Sequence, residues 1–483
     1  MPERSIPISV SSRDSWTSGS APASPPRTRW RSAPTIAVPN VARRRRGRAP
    51  CTRPERSGND ARDEPDRYAR TMSGSLSVPQ FVDAPSSQPG WVRAANALGR
   101  RIPLLRRPSA EAWWAEARRG ALADCEPTPE AREALDALAA SIEHEARLNL
   151  VGRISARSDT LRLARTHLRI HRALRKTPEI EATPLPPLVF IVGWPRTGTT
   201  FLHHLLARDP RNRTLPYWES FDPVPPGRKR DRRVEELRRM LRFLELLAPD
   251  YQAIHPMTPT DPEECVALFM NEFRTLQFDF QYRAPGYVDW LFGQDPRIAY
   301  SAYHRQLKLV QFHRPAGERF ILKDPTHLVH LETLIDLFPD ARFIFTHRDP
   351  AAAISSICSL MAHTRAIFSD EVDPREIGRE VLSGYWPPAL DRARELRTRL
   401  APDRIADVRH ADLARDPVAT VRGLYDRLDL PFDEGVAGAL GHFVERQHAM
   451  PRHRHIHSPD GFGLRTEAIR DRFKEYREEF DLE

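Results

Sequence analysis

The chain has 483 residues, of which 40% are hydrophobic, which is enough for two or three domains with a sizeable core. Its formal charge of +9 is concentrated at one end: residues 1–71 hold 15 arginines, no lysine and 7 acidic residues, so the remainder is almost neutral. A near-neutral body argues against a nucleic-acid-binding protein, and four widely spaced cysteines argue against a disulfide scaffold.

The first ninety residues predict a disordered basic tail. They are rich in Ser, Pro and Arg and show no apolar periodicity. They also lack the apolar core of a secretory signal, and no apolar run in the chain reaches the 18 residues of a membrane span. We therefore expect a cytoplasmic protein, in which only the Arg-rich tail could bind nucleic acid.

Residues 91–185 read as a helical segment. In 131–150, apolar residues recur at helical spacing, and Thr128-Pro129-Glu130 is a typical helix start. A second helix is expected over 159–175, before a proline-bearing linker that ends at Pro187.

The stretch 187–210 reads as a buried strand, a glycine-containing loop and a helix. Leu188–Val192 is an unbroken apolar run, and Gly193 and Gly198 bracket the loop. The free backbone N–H groups at the start of a helix bind anions, and Arg196 adds a permanent charge. The hydroxyl groups that could add donors belong to Thr197, Thr199 and Thr200.

Two later segments repeat this order of strand, basic residue and helix. Residues 319–322 form a short apolar strand followed by Lys323, and residues 341–346 form another followed shortly by Arg348. Ligands of open parallel sheets bind at the carboxyl ends of the strands, so we expect these basic residues to meet Arg196 there. The predicted fold is α/β, a P-loop-like parallel sheet flanked by helices over 186–483, with an N-terminal helical segment.

The loop departs from the phosphate loop of nucleotide triphosphatases. The spacing of Gly193 and Gly198 agrees, but Thr199 stands where that motif has its lysine. A P-loop small-molecule kinase therefore remains only an alternative interpretation.

The sequence P-R-T-G-T-T at 195–200 resembles the 5′-phosphosulfate loop of sulfotransferases, which use 3′-phosphoadenosine-5′-phosphosulfate (PAPS). The pair K-D-P-T-H at 323–327 and T-H-R-D-P at 346–350, with Ser356 eight residues past Arg348, resembles the bacterial PAPS-dependent enzymes. The arginine in the loop and the Lys-Asp-Pro sequence are also similar to the tyrosylprotein sulfotransferases.

This resemblance implies roles for individual residues. Residues 196–200 would bind the 5′-phosphosulfate, and Arg348 with Ser356 the 3′-phosphate, a dianion suited to a forked guanidinium and a hydroxyl. Only 5 of the 74 basic residues are lysines, so Lys323 is unlike the chain's ordinary surface charge. Its ammonium would stabilise the negative charge on the leaving oxygen, with no metal required.

Two residues compete for the role of the base that accepts the acceptor's proton. His327 resembles the catalytic histidine of cytosolic sulfotransferases, although two extra residues separate it from the lysine. Glu219 lies near the position where the tyrosylprotein and heparan branches carry a catalytic glutamate. An imidazole has a pKa near working pH, whereas a glutamate must have its pKa raised by burial.

The sequence thus predicts a cytoplasmic bacterial enzyme that moves a sulfuryl group from PAPS to a small or medium hydroxyl, or amine, acceptor. Nucleic acid is not an expected partner. Residues 261–292 are rich in aromatics that would form either core or one wall of the acceptor pocket. Phenols, lipids, carbohydrates and peptides all remain open as acceptors, and so does the oligomeric state.

Overall fold

The computed structural model describes residues 88–99, 109–227, 230–449 and 457–482. Residues 1–87, which make up nearly all of the proposed tail, lie outside this range. Gln88 is buried, and its side-chain amide donates to the carbonyl oxygen of Ala366, 2.5 Å away. The described part of the chain therefore includes residues just before 91, the expected start of the helical segment.

The centre of the molecule is a five-stranded sheet in which every pairing is parallel. Its order is β2-β3-β1-β4-β5, so β1 lies between β3 and β4. The strands are β1 (Leu188–Gly193), β2 (Asn212–Arg213), β3 (Arg319–Lys323), β4 (Arg342–His347) and β5 (Ile405–Arg409). The predicted α/β fold with a parallel sheet is confirmed.

Side chains of β1 alternate between two cores, as the period of a strand requires. Phe190 and Val192 join the larger core, which also includes side chains from the helices at 296–313 and 350–368. Val189 and Ile191 join the core on the opposite face. Both faces of the sheet are covered, which explains why the strand reads as one continuous apolar run.

Helices cover both faces of the sheet and form the N-terminal layer. Those before β1 are α1 (Gly90–Gly99), α2 (Ala110–Ala117), α3 (Pro129–Glu145) and α4 (Leu150–Lys176). Between β1 and β3 lie α5 (Thr199–Leu206), α6 (Tyr217–Phe221), α7 (Arg233–Leu247), α8 (Tyr251–Ile254), α9 (Val266–Met270), α10 (Gln277–Tyr282), α11 (Pro285–Phe292) and α12 (Pro296–His313). Those that follow are α13 (Leu331–Leu337), α14 (Pro350–Phe368), α15 (Pro374–Ser383), α16 (Trp386–Arg397), α17 (His410–Arg415), α18 (Pro417–Arg427), α19 (Glu434–Ala449), α20 (Thr466–Arg472) and α21 (Lys474–Glu479).

Local sequence explains several helix boundaries. The Thr128 hydroxyl caps α3 by accepting from the backbone N–H of Ala131, with Pro129 in the first turn. Helix α4 begins at Leu150 rather than at residue 159, because Asn149 caps it by accepting from the N–H of Gly152. Helices are present in 91–185, as predicted. The second of the two predicted helices, α4, is longer than the expected range 159–175.

Helix α14 is long, apolar and almost entirely buried. Among the described residues it alone is long and apolar enough to cross a membrane by length and hydropathy, yet 94% of that window is buried inside the protein. A core helix passes the same test. The HRDP motif, residues 347–350, connects the end of β4 to this helix: Asp349 caps the helix and Pro350 occupies the first helical position.

Candidate functional site: an anion crevice at the carboxyl ends of β1, β3 and β4

The loop between β1 and α5 is built so that only glycine fits at its first position. Gly193 has a φ of +155°, and a Cβ there would lie 2.2 Å from the Thr346 hydroxyl of neighbouring β4. Gly198, at φ +93°, is the N-cap of α5. The loop therefore packs closely against β4 where it follows β1. It ends at the N-terminus of α5, which is the positive end of the helix dipole.

Arg196, Arg348 and Ser356 come together beside this loop. The Arg196 Nε donates to the Ser356 hydroxyl at 3.1 Å, and Arg348 Nη1 donates to the backbone oxygen of Arg196 at 2.7 Å. Arg196 adopts a φ of +68°, which an arginine rarely takes and which aims its carbonyl at Arg348. Burial lowers the pKa of each guanidinium, and the Arg348 charge lowers that of Arg196 further. Two cations held this close favour a bound anion.

The three threonines of the loop play different parts. Thr197 is buried, and its hydroxyl contacts the Trp194 carbonyl at 2.7 Å and the Thr346 hydroxyl at 2.6 Å. That hydroxyl holds the loop to β4. Thr199 is buried in the first turn of α5, whereas Thr200 is exposed and its hydroxyl accepts from Lys323 Nζ at 3.4 Å.

Lys323 ends β3 directly beside the loop and is only 1% exposed. Its ammonium donates to the carboxylate of Glu264, a contact that the sequence did not suggest. The backbone places Glu264 there, because the N–H of Cys265 donates to the Lys323 carbonyl at 2.9 Å. Burial alone would raise the pKa of Glu264, but Lys323, His255 and Arg196 together hold it below its ordinary value.

Further ionisable groups surround this pair. Burial raises the pKa of Glu263 to about 7, against the opposing effect of Lys323. Burial and the Glu264 charge likewise raise the pKa of Asp324 to about 7. Burial lowers the pKa of His255 to about 4, although Glu264 opposes this. Environments that push neighbouring pKa values apart are typical of acid–base sites.

His327 does not lie in the crevice, which corrects the first of the two assignments of the base. Asp324 caps the short 3₁₀ turn Pro325–Leu328 and directs the chain back beneath the sheet. His327 is fully buried, and its Nδ1 pairs with the Tyr300 hydroxyl at 2.9 Å. Burial lowers its pKa to about 3. The two residues that separate it from the family's lysine–histidine spacing thus place the imidazole in the aromatic core. The aromatic rings packed against it are those of Phe190, Phe269, Tyr300 and Tyr303.

Glu219 is likewise committed elsewhere, which corrects the second assignment. It lies on α6 with 3% exposure, and both of its oxygens bind arginines. Arg314 donates from Nε and Nη2 at 3.0 and 2.9 Å, and Arg213 donates from Nη2 at 3.2 Å. A carboxylate held in this way stabilises the edge of the sheet near β2 and has no oxygen free to take a proton.

Two histidines that were not expected from the sequence also face the anion crevice. His410 begins α17, and its ring would lie 3.3 Å from a Cβ at Gly198. His457 contacts the Ser355 hydroxyl through Nδ1 at 2.7 Å. The basic stretch 452–455, shortly before His457 in the sequence, lies outside the described residues. The aromatics of 261–292 are mainly core, with Phe273, Phe278 and Tyr287 buried.

One group of described side chains has the spacing of a metal site, and it lies in the helical layer. Its members are His167, His171 and Glu272, whose ligand atoms lie within 4.8 Å of one another. The N–H of Thr128 donates to His167 Nε2 at 3.2 Å, so the ring proton sits on Nδ1, which faces Glu272 at 3.1 Å. A metal would need that nitrogen deprotonated, so this cluster is better explained as a charge-assisted pair.

Comparison with known proteins agrees with this geometry. Residues 187–434, which contain the loop, Lys323 and the His410 turn, match the model described as the sulfotransferase family. The chain belongs to the sulfotransferase family. The P-loop kinase interpretation is accordingly not supported.

Its relatives include sulfotransferases of known structure. STF1 from Mycobacterium tuberculosis H37Rv is 27% identical, with a TM-score of 0.63 over 76% of this chain and 99% of that one. STF9 from Mycobacterium avium is 26% identical, with a TM-score of 0.70 over 79% of this chain and 98% of that one. Both alignments therefore extend beyond the 248 residues of 187–434.

A curated relative carries a named acceptor. The omega-hydroxy-beta-dihydromenaquinone-9 sulfotransferase Stf3 of Mycobacterium bovis is 29% identical over 259 residues. The match covers 50% of this chain, and the chain spans 63% of the length of that relative.

Proposed function

We propose that the protein transfers the sulfuryl group of PAPS to a hydroxyl acceptor and releases 3′-phosphoadenosine-5′-phosphate (PAP). The observation that carries this is the convergence of Arg196, Arg348 and Lys323 on one crevice, each at the carboxyl end of one of three adjacent strands. Two neighbouring arginines suit a ligand that carries several negative charges. Lys323 lies between β3 and the N-terminus of α5. Its charge there would stabilise the oxygen that leaves when the sulfur–oxygen bond is cleaved.

In this proposal the nucleotide lies across the loop. The N–H groups at the start of α5 and the Thr200 hydroxyl bind the 5′-phosphosulfate. Arg348 and Ser356 bind the 3′-phosphate, and Arg196, already bonded to Ser356, lies between the two anionic ends. These groups are fixed by contacts with the protein before any ligand arrives, which lowers the cost of binding.

The reaction needs one group that stabilises the leaving oxygen and one that accepts a proton. The acceptor oxygen forms a bond to sulfur as the bond from sulfur to the 5′-phosphate oxygen breaks. Lys323 stabilises the charge that develops on that phosphate oxygen. The acceptor's proton passes to Glu264, the carboxylate that touches Lys323 in the crevice.

The contact between Lys323 and Glu264 prepares both groups. It keeps Glu264 ionised and therefore able to accept a proton. A bound phosphosulfate draws the ammonium toward itself, and burial then raises the proton affinity of the carboxylate. Glu264 thus becomes a stronger base when the donor is in place, which favours transfer to the acceptor over side reactions.

The acceptor that this crevice suits is an alcohol or a phenol of small or medium size. Tyr251 interacts electrostatically with Glu263, Glu264 and Arg196, so its aromatic ring lies beside the reacting groups. Stf3 is named for a hydroxylated menaquinone, which makes an isoprenoid or other lipid alcohol the first acceptor to try. We also propose that the enzyme is cytoplasmic and needs no metal.

The direct test combines nucleotide binding with sulfuryl transfer. Calorimetry should show binding of PAP, and ATP with Mg²⁺ should bind at least tenfold more weakly, because the loop has no Walker lysine. The protein with ³⁵S-labelled PAPS should then label an organic product in a cell extract that includes the lipid fraction. Chelator treatment should leave the rate unchanged.

Lys323→Ala is the matched control, because it removes the leaving-group cation without touching the 3′-phosphate site. Labelling should fall to background with this variant while PAP still binds. ATP binding in preference to PAP, or equal labelling by both proteins, would overturn the proposal.

A further inference from the structure

A row of half-buried side chains leads from the reacting groups toward the N-terminal helical layer. It begins where the segment before Glu264 pairs with the segment that enters α6, through an antiparallel bridge between Pro216 and Pro262. Alternate residues of paired extended segments share a face, so Tyr217 and Glu263 lie on the same side of this bridge. Tyr217 is therefore placed close to the proposed base, Glu264.

The bridge is closed by two backbone hydrogen bonds. The N–H of Tyr217 donates to the Asp261 carbonyl at 3.0 Å, and the N–H of Glu263 donates to the Leu215 carbonyl at 2.9 Å. The Glu263 charge also acts on the Tyr217 phenol. The first side chain of the row is thus fixed by the backbone.

The row continues along α6 and reaches α4. Tyr217 and Phe221 lie one turn apart on α6, and their rings meet edge to face with centroids 5.8 Å apart. The guanidinium of Arg162, on α4, covers the Phe221 ring, with its Cζ 3.8 Å from the ring centroid. The helical layer therefore supplies a cation at the opposite end of the row from Glu264.

The guanidinium of Arg162 is not satisfied by the protein. Arg162 is half-buried, and its Nε is enclosed without a hydrogen-bond partner among the described residues. The nearest carboxyl group on the same helix, that of Asp159, accepts from the Tyr282 hydroxyl at 3.3 Å. Arg162 acts on that carboxyl group through its charge rather than through a hydrogen bond. An enclosed donor without a partner costs free energy, which an oxygen atom of a ligand would offset.

The surface between the two ends of the row is aromatic. Tyr251, on α8, adds a second phenol beside Tyr217, and its charge interactions with Glu264 place it next to the reacting groups. The Thr364 hydroxyl donates to the Tyr251 hydroxyl at 3.4 Å and ties it to α14. Aromatic rings in edge and face arrangements suit a flat, apolar ligand body.

We infer that Arg162 is a specificity-determining residue that binds a second polar group of the acceptor. The acceptor class that fits is a bifunctional phenol: its hydroxyl reacts at Glu264, its aromatic body packs on Tyr217 and Tyr251, and a carbonyl or carboxylate oxygen at its far end binds Arg162. This inference rests on the proposed function, since it takes sulfuryl transfer at Lys323 as given. It assigns the choice of acceptor in part to the helical layer.

The chemistry shared by the two possible far ends is an oxygen that accepts a hydrogen bond. A guanidinium can bind both oxygens of a carboxylate, or donate to a single ketone oxygen. The experiment therefore offers both groups. The better of the two shows whether the far end of the acceptor carries a charge.

The experiment measures kcat/KM for transfer from saturating PAPS to three series of para-substituted phenols. The substituent is an alkyl chain, a methyl ketone or a carboxylate, with the same number of chain atoms, at several lengths. The enzymes are the wild type, Arg162→Leu and Arg162→Lys. The matched control is Arg165→Leu, which removes an exposed arginine from the next turn of α4.

At one chain length or more, the wild type and the control should prefer the ketone or the carboxylate to the alkyl phenol by at least about tenfold, the value of one hydrogen bond to a charged group. Arg162→Leu should bring this preference to within about twofold of unity while PAP affinity stays unchanged. The preference compares two acceptors on one enzyme, so a loss of stability alone does not change it.

An equal preference in the wild type and Arg162→Leu would overturn the inference, and so would a wild type that prefers the alkyl series or labels only extract. Should Arg162→Leu fail to fold, Arg162→Lys decides, because lysine keeps the charge without the planar fork. Its preference should be at least threefold smaller than that of the wild type, and an unchanged preference would contradict the inference. A wild type that does not bind PAP would instead be a failure of the proposed function.

Discussion

Two glutamates lie beside basic side chains in this protein, one buried and one partly buried, and only the partly buried one is proposed to take part in chemistry. Glu219, near the edge of the sheet, has both oxygens bound by arginines at 2.9 to 3.2 Å. Glu264 contacts one lysine, Lys323, which lies at the end of β3. This lysine is also the proposed stabiliser of the leaving oxygen. Burial beside a cation is therefore not enough, because a base also needs an oxygen free and a partner that can leave.

The same comparison separates the partners. Arginine has a rigid fork that binds both carboxylate oxygens, whereas an ammonium is a compact charge that can turn toward a new anion. Arg314 and Arg213 lock Glu219 into a structural role. In the proposed mechanism Lys323 turns from Glu264 toward the bound phosphosulfate, so the two glutamates should respond differently to substitution.

Removing the proposed base should have the largest effect. Glu264→Gln should lower kcat by about 10²–10⁴-fold, the usual contribution of general base catalysis, with PAP affinity nearly unchanged. Since surrounding cations hold the pKa of Glu264 in the free enzyme below its ordinary value, the wild-type kcat/KM, which reports the free enzyme, should be independent of pH near neutrality and fall only in acid. Steady-state kinetics from pH 4.5 to 8 check both points.

Glu263→Gln is the matched control, since its carboxyl group is the neighbour whose pKa burial raises to about 7. Glu263→Gln should lower kcat far less than Glu264→Gln does. A collapse with Glu263→Gln and a normal rate with Glu264→Gln would reassign the base to Glu263.

Removing the cation should have the next largest effect. Lys323→Ala should reduce kcat by about 10²–10³-fold, because the ammonium acts mainly where charge develops in the transition state. Lys323→Arg should rescue the rate only in part, since a planar fork does not replace a point charge. A kcat for Lys323→Ala within a factor of three of the wild type would exclude the leaving-group role.

Breaking the structural pair should change stability rather than chemistry. Glu219→Gln leaves Arg213 buried without a full countercharge, and we expect a loss of about 3 kcal/mol in unfolding free energy. Arg314 is half-exposed, so its own contribution is small. Urea unfolding gives the stability, and kcat of the folded variant should stay within about twofold. An unchanged midpoint would show that the ion pair is not structural.

The smallest effect on activity is expected at His327. His327→Phe should leave kcat within about twofold, because the ring packs among aromatics away from the crevice. Its effect is on acid stability. The folded pKa of about 3 lies below the ordinary 6.5, so the unfolded chain binds the extra proton between these values.

The contribution of His327 to the unfolding free energy should therefore be fully present above pH 6.5. Below that pH it should fall by up to about 1.4 kcal/mol per pH unit. The phenylalanine variant should show a shallower loss, measured by urea unfolding at pH 7, 6 and 5. Parallel curves for the two proteins would contradict this assignment.

Much of the fold could be predicted because its signals are local. The apolar runs at 188–192 and 341–346 specify buried strands, and Asp349-Pro350 specifies a helix start. The cluster of Arg196, Arg348 and Lys323 followed from one general property of parallel sheets, that strand ends meet at one edge.

The proposed base, Glu264, could not be predicted because its position depends on long-range contacts. Glu264 reaches Lys323 through a backbone bond between Cys265 and β3, which leaves no mark in the local sequence. His327 has the right residue type near the right motif, but the turn capped by Asp324 carries it beneath the sheet. His410 depends on the pairing of β4 with β5, which only the structure supplies.

The contrast between the two glutamates is tested most directly by single-turnover transfer from bound ³⁵S-labelled PAPS, with Glu264→Gln and Glu219→Gln assayed together. Both assays use the acceptor that the extract screen identifies, at a temperature where circular dichroism shows both variants folded. We predict a rate within about threefold of the wild type for Glu219→Gln and a loss of at least about 10²-fold for Glu264→Gln. A fast Glu264→Gln beside a slow Glu219→Gln would contradict the account.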